Sequence, residues 1–168
     1  MITYKGNSFA ETKPLAGENV FIAKGANVIG TVNIGKSSCI GHKALVRADG
    51  NTITIGEDAV ISDLAVVHVA GVFSAAIGDY TIISARSIVH GAHVGRFCYI
   101  ADNAKILDGS TVGDFSIVSA GAVVAKGTIV PPYSLVEGIP GKISGKVDFD
   151  EKAHKERVST MKKMLCEG

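Results

Sequence analysis

Aliphatic residues recur at every sixth position along most of the chain. The run passes through Ile34, Ile40 and Val46, resumes as Ile55, Ile61 and Val67, then Ile77, Ile83 and Val89, and continues as Val94, Ile100, Ile106, Val112, Val118 and Val124. With each of these, and Ile22 before them, as position one of a hexad, position five is small almost throughout: Ala26, Ser38, Ala44, Ala59, Ala65, Thr81, Ser87, Cys98, Ala104, Ser110, Ser116 and Ala122. Glycine often follows the aliphatic, as at Gly35, Gly41, Gly56, Gly78, Gly95 and Gly113, which suits a tight corner where the backbone must turn without a Cβ penalty. An amphipathic helix would space its apolar residues by three and four, and a half-buried strand would alternate strictly. Neither template fits. Short strands joined by corners at a hexapeptide period predict a parallel β-helix. Three hexads would close one triangular coil of about 18 residues, and coils would stack at the roughly 4.8 Å spacing of paired strands. The expected fold is therefore an all-β solenoid, with its coils running from about residue 20 to residue 136.

The beat also predicts which side chains stack. Three hexads on from Val46 lies Val67, and three more reach Val89, so Arg47, His68 and His90, each at position two, form one column. The same count puts His42, Asp63, Ala85 and Asp102, all at position three, in another. Two steps are long, nine residues from Val46 to Ile55 and ten from Val67 to Ile77, and the extra residues should bulge beside the histidine column. Insertions next to polar residues on a regular solenoid mark its functional face. Two aligned imidazoles with an arginine below them suggest a metal or anion site. His42 and His93 read more simply as solvated or interface histidines.

The two ends break the pattern. Residues Ile2 to Lys13 read as a short extended lead-in, with Pro14 and Gly17 punctuating the entry, so that 1–19 precede the solenoid proper. After Val136, the Gly and Pro residues of 137–142 end the regular coils, giving a β-helix domain of 20–142. A helix is expected over 148–166, with Asp148 and Glu151 at capping-box spacing and Ala153, Val158, Met161 and Leu165 forming the stripe that docks on the prism.

Composition narrows the classes. The 168 residues suffice for one core, and 46% hydrophobic residues with 20 Gly, 6% aromatics and no Trp suit a narrow prism packed with aliphatics. With a net charge of +1 and no basic run interleaved with aromatics, no nucleic-acid or membrane partner is expected. No apolar run has membrane-spanning length, and residues 1–10 lack the apolar core of a secretory signal. Three cysteines, Cys39, Cys98 and Cys166, show neither metal nor redox spacing, which points to reduced thiols in the cytoplasm. Cys98 sits at a small inward position and reads as packing.

On its motifs the chain resembles the γ-class carbonic anhydrases and their close relatives. The resemblance rests on the repeat itself, on Arg47-Ala48-Asp49, on Ile61-Ser62-Asp63-Leu64-Ala65-Val66-Val67-His68, on Ile88-Val89-His90-Gly91 and on Val130-Pro131-Pro132-Tyr133-Ser134-Leu135-Val136. It spans residues 14–142. It implies a left-handed β-helix, a homotrimer, and zinc or another divalent metal held between subunits, with carbon dioxide and bicarbonate as substrates. His68 and His90 take the places of the two metal ligands from one chain, and Arg47, Asp49 and Asp63 those of the interface network. Arg47, Asp49 and Asp63 could equally be a structural ion-pair network.

Two family positions differ. The third metal histidine should lie five residues before His90, where this chain has Ala85, beside Arg86; the active-site glutamine should lie six residues before His68, where it has Ser62. A catalytic zinc normally keeps three protein ligands and one open position. Three functions stay open: a metal-dependent hydrase weakened by these losses, a hexapeptide acyltransferase with His90 as general base, and a non-catalytic trimeric scaffold or small-ligand binder.

Overall fold

The computed structural model describes residues 13–167, a left-handed parallel β-helix followed by one helix. One face of the prism is built from β2 (Phe21–Ile22), β4 (Cys39–Ile40), β6 (Val60–Ile61), β9 (Ile82–Ile83), β12 (Tyr99–Ile100), β15 (Ile117–Val118) and β18 (Ser134–Glu137). A second carries the first halves of β3 (Asn27–Ile34) and β5 (Leu45–Ile55), then β7 (Val66–Ala70), β10 (Ile88–His90), β13 (Lys105–Ile106) and β16 (Val123–Val124). The third has β1 (Leu15–Ala16), the second halves of β3 and β5, β8 (Ala75–Ile77), β11 (His93–Val94), β14 (Thr111–Val112) and β17 (Ile129–Val130). Because β3 and β5 run through a corner, the second and third faces join into one 11-stranded sheet. The lead-in expected over Ile2–Lys13 lies outside the described residues but for Lys13.

The register follows the hexad count. On the first face Ile22, Ile40, Ile61, Ile83, Ile100, Val118 and Val136 are successive partners, and on the second Val28, Val46, Val67, Val89, Ile106 and Val124. From Val28 to Val136 these side chains are no more than 1% exposed. Position five fills the corners between them, with Ala44, Ala59, Ala65, Ser87, Cys98 and Ala104 fully buried. Its hydroxyls are satisfied by corner carbonyls: Ser38 Oγ donates to the Gly56 carbonyl at 2.7 Å and Thr81 Oγ1 to that of Gly95 at 2.6 Å.

The corner glycines serve a purpose other than the one expected. At Gly56, Gly78 and Gly95 the φ angle is not positive; a Cβ there would come within 2.3–2.5 Å of the next coil. The left-handed conformation falls two residues later, on Asp58, Tyr80 and Phe97, and in later coils on Phe115 and Tyr133. That conformation is unusual for bulky side chains. Here it stacks Tyr80, Phe97, Phe115 and Tyr133, with successive ring centroids 4.9, 5.7 and 4.7 Å apart.

The chain then reverses. β19 (Lys142–Lys146) pairs antiparallel with β18, and the intervening turn bonds to β16 through Val123 N to the Gly138 carbonyl and Gly141 N to the Val123 carbonyl. The helix α1 (Glu151–Glu167) starts three residues later than expected, because Phe149 is held outside it against Phe97 and Phe115. Asp150, rather than Asp148, is the cap: its Oδ1 accepts from Ala153 N at 3.0 Å. The buried stripe is His154, Val158 and Leu165 with Met161 beside it, whereas Ala153 is exposed. This stripe covers Phe21, Cys39, Val60, Ile82, Tyr80 and Tyr99 on the first face. Among the described residues no helix is long and apolar enough to cross a membrane.

Candidate functional site

The second face carries the polar column. Pairing of β5, β7 and β10 puts Arg47, His68 and His90 on consecutive rungs, as the hexad count requires. The two imidazoles lie edge to face with centroids 5.0 Å apart.

Each ring is tethered by a carboxylate. Asp49 Oδ2 lies 2.9 Å from His68 Nε2 and accepts from Arg47 Nε at 2.5 Å. Partial burial alone would raise the Asp49 carboxyl, but the bonds from His68 and Arg47 outweigh it and hold the group below its ordinary value. His90 Nδ1 lies 2.8 Å from Asp108 Oδ1, which leaves Nε2 of that ring unengaged among the described residues. Asp108 is absent from the expected set. Its hexad opens at Ile106, the partner of Val89, so it sits one residue past the histidine's own rung. The sequence marks this coil with a short step, five residues from Val89 to Val94 rather than six. Gly91 makes the contact possible: a Cβ there would lie 2.4 Å from Asp108 Oδ1.

Both long steps leave the regular coil next to the column, as expected. The first stays within β5, whose pairing with β3 jumps from Gly30–Ala48 to Val32–Ile53, with Gly50 at a φ of +77°; the second forms a bend at 71–72. From that bend Phe73 reaches over Gly91 and Gly109, and the latter's absent Cβ would meet its ring at 2.9 Å. Ser74 Oγ bonds His93 Nε2 at 3.1 Å, so His93 belongs to the third face and not to the histidine column.

The remaining positions lie on a different corner. His42, Asp63, Ala85 and Asp102 do align, since their carbonyls accept in turn from Leu64, Arg86, Asn103 and Gly121. Asp63 is not brought to Arg47 and Asp49 within the chain. Its Oδ1 accepts from His42 N at 2.6 Å, as Asp79 does from Glu57 N and Asp114 from Arg96 N, so it staples one coil corner to the next. Ser62 is 4% exposed, and its Oγ has no hydrogen-bond partner among the described residues. Ser84, on the same corner, donates to Asp102 Oδ1 at 2.5 Å.

This donor set fits a metal in part. Among the described residues no three His, Cys, Asp or Glu side chains are grouped to hold one. Two imidazoles of one chain converge, and each has a carboxylate on one nitrogen, the arrangement that orients metal-binding histidines. Ala85 has no donor to add.

No protein-family model matches the sequence. A probable carbonic anhydrase of Methanocaldococcus jannaschii is 46% identical over 134 residues, which cover 80% of this chain and 84% of that protein. Gamma carbonic anhydrase 2, mitochondrial, of Arabidopsis thaliana is 35% identical over 104 residues, 58% of this chain but only 37% of that longer protein. Among solved structures, a hexapeptide transferase family protein from Anaplasma phagocytophilum superposes with a TM-score of 0.85 at 25% identity, covering 94% of each chain. Repeat, register and identity to a relative of nearly the same length agree, and the chain belongs to the γ-carbonic-anhydrase-like family of hexapeptide-repeat proteins.

Proposed function

We propose that the protein is a γ-carbonic-anhydrase-type hydrase with an attenuated metal site, acting at most weakly on carbon dioxide and bicarbonate at the interface of a homotrimer. The observation that carries this reading is the pair of register-matched imidazoles, 5.0 Å apart and each tethered by a carboxylate. His68 and His90 would hold a divalent cation such as zinc. A metal held there would supply the acidification of a bound water towards a pKa of about 7. The chain's own part is orientation. Asp108 fixes the His90 ring with Nδ1–H towards the carboxylate and Nε2 outward, while Asp49, backed by Arg47, fixes His68. Ser62, in the family's glutamine position, is too short and too buried to reach outward, so the reactant's surroundings are less polar.

The missing third imidazole sets the expectation. Loss of partners that only orient a ligand costs roughly 10- to 100-fold in metal affinity, and loss of a direct ligand costs at least as much. Purified protein should therefore hold substoichiometric zinc and hydrate carbon dioxide slowly or not at all. Ala85→His should raise both zinc content and hydration with the fold unchanged. Full zinc occupancy in the unmodified protein that survives His90→Ala would overturn this assignment.

A second reading has one observation of its own. His90 with Asp108 is an oriented imidazole that could take a proton from a hydroxyl or amine acceptor without metal, as acyl transfer requires. Thermal stabilisation by acetyl-coenzyme A, abolished in His90→Ala, would favour it over hydration.

A further inference from the structure

Two of the three cysteines, 127 residues apart in sequence, meet in the fold. Cys39 faces outward from β4 beneath α1 and is 2% exposed. Its Sγ lies 3.5 Å from that of Cys166 in the last turn of the helix, and Cys166 is exposed. Cys98 is sealed inside the prism, with its thiol 3.2 Å from the Gly113 carbonyl, and has no part in this contact.

We propose that Cys39 and Cys166 are a dithiol that low-molecular-weight disulfides, such as oxidised glutathione, convert to an intramolecular disulfide that fastens the end of α1 to the prism. The Cys166 thiolate attacks one sulfur of oxidised glutathione and releases one glutathione thiolate. Cys39, deprotonated in turn, attacks the Cys166 sulfur of the mixed disulfide and releases the second. The protein gives up two electrons and two protons, and the oxidant leaves as two molecules of glutathione.

The surroundings assign the two roles. Burial, reinforced by the neighbouring Cys166 thiol, pushes Cys39 up to about 12, so it stays a protonated thiol in neutral solution, covered by the helix. The exposed partner is the one a solution oxidant reaches first. Once Cys166 carries glutathione, Cys39 is the thiol already beside it, and the Lys162 ammonium nearby favours its thiolate. Bringing two sulfurs from 3.5 Å to the roughly 2.05 Å of a disulfide is a small displacement. It falls on the helix terminus, because the sheet fixes Cys39 through its pairing with Phe21 and Val60.

The test treats the full-length protein with oxidised glutathione at mildly alkaline pH, quenches with acid and measures intact mass without reductant. The expected product is a monomeric chain that has lost two hydrogens and carries no glutathione, with one free thiol left of the three. Digestion should yield a peptide linking Cys39 to Cys166, and dithiothreitol should reverse the change. Cys98→Ser should react as the parent does, and Cys39→Ser should instead retain one glutathione on Cys166. Amide hydrogen exchange in the last turns of α1 should slow on oxidation. A persistent glutathione adduct in the unmodified protein, a disulfide between chains, or three unreacted thiols would each overturn the proposal.

Discussion

Gly91 lacks a side chain at the one place where Asp108 needs the space. Gly91→Ala would put a methyl group 2.4 Å from Asp108 Oδ1, on a residue whose φ is +51°. The His90–Asp108 bond should break, at a cost of about 1–3 kcal/mol typical of overpacking, and the His90 ring-nitrogen NMR signals should shift while those of His68 hold. His154 gives a pH dependence. Burial lowers its pKa, only partly offset by its bond to the Tyr80 carbonyl at 2.7 Å. Protons therefore favour the unfolded chain: stability is fully present above the free-imidazole value of roughly 6.5 and is lost as pH falls through the lower folded value. In denaturant titrations across that window, His154→Gln should show a flatter profile than the parent. The two column histidines were legible because register is arithmetic once the period is known. Asp108 was not, because it acts diagonally across rungs. His154 was hidden by a stripe counted from Ala153, one residue off the face that packs.

At the scale of strands and corners, spacing between coils is the quantity under control. Gly78→Ala would press a Cβ to 2.5 Å from the backbone of Gly95 and Arg96, where no flexible side-chain tip can yield. A loss of about 1–3 kcal/mol is expected. Gly145→Ala, with nothing within 4 Å, should stay within about 0.5 kcal/mol of the parent. Equal chemical-denaturation midpoints for the two variants would remove close approach as the reason for the corner glycines. The sequence pattern located these glycines correctly but suggested the wrong cause, since a repeat reveals where backbone turns and not what lies above it. The helix shows the same limit. Its existence could be read from apolar spacing, while its start depended on Phe149 finding Phe97 and Phe115, contacts made across coils.

For the whole molecule, the corner with Asp63, Ala85 and Asp102 and the face with His68 and His90 are separate surfaces of one chain, and only a neighbouring copy could bring them together. Sedimentation equilibrium at micromolar concentration should return a trimer mass; a monomer would withdraw the intersubunit site. The solenoid itself was legible because one period governs nearly the entire chain. The closing hairpin was not, because it abandons that period. A stacked ladder has no intrinsic length, and each terminal rung offers unpaired amides and carbonyls on which another chain could continue. Here β19 occupies the last rung of the first face in the opposite sense, and the turn before it satisfies Val123 on the second. An incoming parallel coil thus meets a strand of the wrong polarity on one side and spent hydrogen bonds on another, while β17 stays open on the third. At this end of the ladder, the hairpin is what separates a molecule of fixed length from a segment of a fibre.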